Sequence, residues 1–202
     1  MRVLSTLMAI GLWVLGATVA YATKVKSVNL EQIVEEADRI FIGTCVAVED
    51  GTLSGNGIPI TLYTFSISER IKGAMGETLT IRQVGVRKPR VQGDQALVWR
   101  IPGMPIYRIG QELILFLAAD SQLGLTSPVG FMQGTFTVEE REGKKVLENG
   151  FQNGGLFKNL SPETSIRKWG LTEEEVGLFS VKQGPIDHST FLGVVRKMVA
   201  QP

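Results

Sequence analysis

One histidine, one cysteine and a few serines beside carboxylates or lysines are all this sequence offers for nucleophilic or metal chemistry. Zinc sites take three or four His, Cys or carboxylate ligands at tight spacing, and His188 and Cys45 lie far apart in the chain. His188 sits beside a helix-start signal, where the expected role is a surface residue of the first turn. Asp187-His188-Ser189 contains the residue types of a hydrolytic triad, but adjacent side chains point apart, and a working triad places the imidazole between the other two groups. Cys45 would need a neighbouring base or cation to act as a nucleophile; inside the apolar run IFIGTCVAV it reads as a small buried hydrophobe. Ser165-Ile166-Arg167-Lys168 matches S-x-x-K, yet the companion S-D-N and K-T-G elements are missing. There is no G-x-S-x-G, Walker-A or G-x-G-x-x-G pattern, and Asn159-Leu160-Ser161 fits only a glycosylation sequon. The expectation is therefore no catalytic residue, no metal site and no cofactor.

Binding chemistry has one candidate. Residues 85–106 have no regular period, and they gather Arg87, Lys88, Arg90, Trp99 and Arg100 among three prolines. A loop of that length inside a domain suggests function, and tryptophan with arginine is the composition of interface hot spots. Arg87, Arg90, Trp99 and Arg100 are the expected binding residues. The competing reading is a solvated connection across the end of a barrel.

The elements that must position this loop are legible on either side of it. Asn29 can cap a short helix with Gln32 as the reciprocal partner, and Leu30, Ile33, Val34 and Ala37 form one apolar face. Residues 40–49 read as a strand buried from two sides, with Gly43 marking a bend or bulge. After the turn SGNGIP, Tyr63, Phe65 and Ile67 alternate with Thr64, Ser66 and Ser68 in a second strand that ends at Lys72-Gly73. Residues 78–84 give a third strand and 107–119 a fourth, whose Leu113–Leu117 run suits the middle of a sheet. Residues 134–138 can pair with 144–148 across Arg141-Glu142-Gly143. Beyond the Asn/Gly-rich stretch 149–155 the pattern turns helical: Ser161-Pro162-Glu163 starts one helix, Thr172 caps a second, and Asp187 or Ser189 caps a third with Phe191, Val194, Val195 and Met198 on one face.

At the N-terminus, Arg2, the uncharged stretch 4–19 and Ala20-Tyr21-Ala22 have the three parts of a secretory signal peptide cleaved after Ala22. The chain is then expected to be exported, periplasmic or extracellular, with no membrane span after cleavage. With 21 basic and 20 acidic residues there is no field to steer it toward nucleic acid. A single cysteine forbids an intramolecular disulfide, so the fold must rest on its apolar core.

The order Ala37-Asp38, strand Ile40–Gly43, strand Tyr63–Ile67 closing on Lys72-Gly73, then Gly110-Gln111-Glu112 and the strand Leu113–Leu117 resembles the netrin-like and tissue-inhibitor-of-metalloproteinase module, over residues 27–138. Uncharacterised bacterial exported proteins resemble the same plan. The resemblance implies an OB-type five-stranded barrel, in agreement with the strand count. With the elements read above, the expected fold is mainly β: an OB-like five-stranded barrel over 23–148 with a short N-terminal helix, and a helical C-terminal extension over 149–202 packed on the barrel. The inhibitors' own mechanism needs an N-terminal cysteine and disulfides that this chain lacks. The functional expectation is an exported, non-enzymatic binding or modulating module whose partner is another exported protein, a protease in the first instance. The alternatives are an envelope-assembly component and a hydrolase with an unrecognised site. The sequence leaves the oligomeric state open.

Overall fold

Helix α1 (Leu30–Glu36) begins as its local sequence requires: Asn29 accepts from the Gln32 N–H, and the Gln32 side chain accepts from the Asn29 N–H. Leu30, Ile33 and Val34 face inward. The computed structural model describes residues 26–55, 57–87, 90–92, 95–97 and 100–201, with the backbone alone for 90–92 and 95–97. The expected leader 1–22, the cleavage point after Ala22 and Trp99 lie outside the described residues.

The chain continues as β1 (Arg39–Thr52), β2 (Pro59–Lys72), β3 (Thr78–Val84), a small hairpin β4 (Arg90–Gln92) and β5 (Gln95–Leu97), then β6 (Glu112–Leu117), β7 (Thr135–Arg141) and β8 (Lys144–Asn149). Helices α2 (Pro162–Trp169) and α3 (Glu173–Gly177), the two-residue strand β9 (Ile186–Asp187) and helix α4 (His188–Ala200) complete it. The fold is mainly β with short helices. Seven strands form one antiparallel sheet in the order β3-β2-β1-β6-β7-β8-β9, and β4-β5 stand apart. The sheet is open: among the described residues no ladder joins its two edges, whereas the expected barrel has five strands and closes. β8 and β9 carry the sheet beyond five strands because Ile186 pairs with Leu147 and brings the C-terminal segment onto the edge. No helix among the described residues is long and apolar enough to cross a membrane.

The fourth strand is shorter than the sequence suggests. Residues 107–111 leave the ladder because Gly110, at φ +85°, donates to the Cys45 carbonyl while Gln111 accepts from the Cys45 N–H. That turn caps the sheet end rather than extending it.

Two apolar clusters lie on opposite faces of the sheet. Alternation along β6 sends Ile114 and Phe116 to one and Leu113, Leu115 and Leu117 to the other, and β1 divides Ile40 and Ile42 from Phe41 and Cys45 in the same way. Both strands read as unbroken apolar runs because both of their faces are covered. The first cluster is roofed by α1 and by α4 through Phe191, Val194, Val195 and Met198. In the second, Phe41, Tyr63, Phe65 and Tyr107 pack edge to face, with centroids 4.7–5.7 Å apart. β1 reaches both by bending: its register against β2 slips between Ile42 and Gly43, where a side chain would meet the Ser66 carbonyl oxygen at 2.7 Å.

A buried polar network ties the sheet to both the N-terminal segment and the connection that leads into β9. Asn153 has no exposed surface and adopts φ +59°. It donates to the carbonyls of Leu147 (3.0 Å) and Gly184 (2.9 Å) and accepts from the Asn149 N–H (2.9 Å). Asn149 returns an acceptor to the Asn153 N–H (2.8 Å) and donates to the Gln133 carbonyl (3.1 Å). Gln133 in turn accepts from Val28 N–H and donates to the Lys26 carbonyl, holding the first described residues.

Candidate functional site

The loop between β3 and β6 starts from a latch. Arg87 donates its backbone N–H to Asp50 Oδ1 (3.2 Å) and its Nη2 to the Val48 carbonyl (3.3 Å), and its Nε faces the same Asp50 oxygen at 3.6 Å. Thr61, almost fully buried, places its hydroxyl 3.0 Å from that oxygen and 2.9 Å from the Gly85 carbonyl. Arg100 then ties the far side of the loop back by donating Nη2 to the Arg87 carbonyl at 2.6 Å. These contacts bind the loop to the outer half of β1.

Tyr107 closes the loop from below. It is 1 % exposed, accepts from Gln83 Nε2 on β3 (3.3 Å) and shares a cleft wall with Thr135 on β7. Burial pushes its phenol pKa above the ordinary range, and burial likewise raises that of Tyr63. Both rings therefore act as neutral floor. The returning segment is pinned again by Met132 N–H to the Gly103 carbonyl (3.2 Å) and by the Ile101–Met104 turn (3.1 Å).

Two clefts adjoin on this floor and share Pro105 and Ile106. Tyr63, Val86, Arg87, Arg100 and Ile101 line one; Gln111, Met132, Thr137 and Gly150 line the other. Their rim is apolar and open to solvent: Ile101 is 36 % exposed, Ile106 46 % and Met132 36 %, with Phe151, next to Gly150, at 44 %. Single exposed apolar residues are ordinary, but a run of them around adjoining depressions marks a contact surface.

Of the four residues expected to bind, Arg87 and Arg100 meet at one cleft. Arg87 is engaged with Asp50 and Val48, so its first role is to hold the loop; Arg100 lies exposed at the mouth. Arg90 contributes a backbone position in β4, and Trp99 lies outside the described residues. Residue type alone does not single out Ile101, Ile106 and Met132. The signal for the first two is present in IPGMPI, where isoleucines flank Pro and Gly in a stretch with no period to bury them.

Elsewhere, the chemistry-bearing residues are occupied structurally. Cys45 has no exposed surface, burial raises its thiol pKa, and Sγ sits 3.7 Å from the Ala47 carbonyl. Asp187 caps α4, accepting from the Thr190 N–H (2.7 Å) and from Ser189 Oγ (2.6 Å), and the Ser189 bond leads the effects that lower its pKa. Among the described residues His188 shares no hydrogen bond with that pair. It is half-buried rather than a surface residue, and its Nε2 is enclosed with no hydrogen-bond partner among the described residues. Burial lowers its pKa, Lys145 adds to the effect, and Glu112 and Asp187 oppose it. Lys168 of the S-x-x-K match pairs with Glu31 at 2.7 Å and not with Ser165. Among the described residues no group of three His, Cys, Asp or Glu side chains could hold a metal ion.

Comparison with known proteins finds no matching family model, no matching curated protein and no matching solved structure.

Proposed function

We propose that this chain is an exported, non-enzymatic binding or modulating module that holds another exported protein against the surface of its 85–108 loop. The observation that carries the proposal is the solvent-open apolar rim of Ile101, Ile106 and Met132 over adjoining clefts, set on a floor of fully buried aromatic side chains. A surface of that kind loses water most cheaply against another protein.

The OB-like plan belongs to the same reading. An OB barrel has the circular strand order 1-2-3-5-4, so cutting it between its third and fifth strands leaves the order 3-2-1-4-5. The run β3-β2-β1-β6-β7 has that neighbour order. Between β3 and β7, Tyr107 bonds to Gln83 and lines a cleft with Thr135, and Thr126 donates to the Arg82 carbonyl of β3 at 3.0 Å. The second apolar cluster would then be the barrel interior. With the netrin-like resemblance, this plan favours binding over catalysis, and an exported protease is the first partner class to test.

A photo-crosslinking residue at Ile106 tests the reading in the producing cell. It is expected to yield an adduct with an exported protein, while the same residue at exposed Glu163 does not. Equal adducts from both positions, or substrate turnover by the purified chain alone, would overturn it. The mass of the recovered chain is expected to begin at Thr23; a membrane-bound product retaining the leader would remove the export half of the proposal.

A further inference from the structure

The sequence of the loop is not neutral like the chain that carries it. Residues 85–111 hold five basic residues, Arg87, Lys88, Arg90, Arg100 and Arg108, against the single acid Asp94, in a chain whose totals are 21 basic and 20 acidic. Two of these cations bracket the apolar rim in sequence: Arg100 immediately precedes Ile101, and Arg108 follows Ile106 by two positions. Both are exposed, and neither makes an ion pair with a carboxylate among the described residues. Arg100 spends one N–H on the Arg87 carbonyl, which orients its guanidinium and leaves further donors available. Asp50, the acid of the latch, is committed to Arg87 and Thr61.

We infer that this surface docks an acidic, extended segment of its partner, with carboxylates against Arg100 and Arg108 and apolar side chains over Ile101 and Ile106. The inference rests on the binding reading above and gives the partner its chemistry. Guanidinium favours carboxylate because two parallel N–H groups match its two oxygens. An extended segment suits the rim because alternate side chains point to one side, so apolar and acidic residues can be presented together. A lipid surface would also meet cations beside apolar groups. It is disfavoured because the rim encloses two concave clefts, which receive side chains, whereas membrane insertion needs a protruding apolar edge.

The test uses the full mature chain and a fluorescein-labelled short peptide alternating glutamate with leucine and phenylalanine. Its glutamine and lysine counterparts and vesicles of phosphatidylglycerol with phosphatidylcholine serve as the other probes. The glutamate peptide is expected to bind at least about tenfold more tightly than the glutamine peptide, and the preference is expected to shrink as salt rises. The double variant Arg100→Glu with Arg108→Glu is expected to remain folded by circular dichroism, with at most a small drop in melting temperature from loss of the Arg87 carbonyl contact, and to reverse the preference toward lysine. Equal binding of the glutamate and glutamine peptides would overturn the inference. So would vesicle binding that the double variant abolishes while peptide binding is absent. If the Ile106 crosslink persists unchanged in the double variant, the acid preference falls and the binding reading stands; if the crosslink itself is absent, both fall.

Discussion

The Asn149–Asn153–Gln133 network and the Arg87–Arg108 loop are both polar, and they treat their polar groups in opposite ways. In the network every side-chain amide is buried and bonded to backbone from a different part of the chain. In the loop Arg87 is bonded inward, while Arg100, held by one bond to the Arg87 carbonyl, stands exposed at the cleft and Arg108 is exposed two positions after Ile106. Buried amides with all partners present fix a unique arrangement, and losing one strands several groups in a low-dielectric interior. Exposed cations beside exposed isoleucines add little to stability but leave interaction energy unspent. The comparison separates where this molecule is held together from where it is open to a partner.

The sharpest way to break that division is Asn153→Ala. It removes the acceptor for Asn149 N–H and the donors for Leu147 and Gly184, at a position with φ +59°. A loss of about 3 kcal/mol or more is expected by chemical denaturation. A loss under 1 kcal/mol (roughly the net value of one ordinary hydrogen bond) would mean the network is not cooperative.

Cys45→Ser comes next, with about 1–3 kcal/mol expected because it sets a hydroxyl in the apolar cluster that includes Phe41 and Phe65, and Cys45→Ala is expected to cost less. Rapid alkylation of the native thiol would contradict its burial. Arg87→Ala should lower stability by about 1 kcal/mol through loss of the Val48 and Asp50 contacts. If it weakens partner binding without touching the melting temperature, Arg87 is a contact residue rather than a latch.

A pH titration sharpens the stable side. His188 is kept neutral in the fold, so between its depressed folded value and about pH 6.5 the unfolded chain binds the extra proton. Stability is therefore expected to fall as pH drops through about 6.5, and His188→Asn is expected to flatten that limb. Lys145, Arg196, Glu112 and Asp187 are the charged groups that act on it, and an unchanged profile in the variant would place the dependence on the carboxylates instead. The smallest stability effect belongs to the open side: Arg100→Ala and Ile106→Ser are each expected to shift it by no more than about 0.5 kcal/mol. A larger loss would make the rim part of the core and undo the contrast.

Much of the scaffold for both regions is readable along the chain. The Asn29–Gln32 capping box and the Thr172 cap arise from contacts within a few residues, and the Gly43 bulge, the β3 boundaries and the apolar face of α4 show in residue type and period along the chain, although their partners are remote. The aperiodic loop and its arginines are visible for the same reason. The rest depends on partners distant in sequence. Asn149 and Asn153 have the look of turn residues, and only the approach of Gly184 and Gln133 makes them a buried lock. Arg87 and Arg100 carry the same side chain, and only the placement of Val48 and Asp50 makes one a latch and leaves the other exposed. The start of β6 departs from the sequence expectation because Tyr107 to Leu117 is apolar enough for a strand, while the Cys45 backbone more than sixty residues earlier takes Gly110 and Gln111 into a turn. By itself the sequence determined a β-rich chain with short capped helices and one cationic, irregular loop, since propensity, capping and periodicity are local. Which polar groups are buried, which faces of the sheet are covered and which apolar side chains stay in water were decided by the tertiary structure, because burial is a property of surfaces brought together from remote parts of the chain.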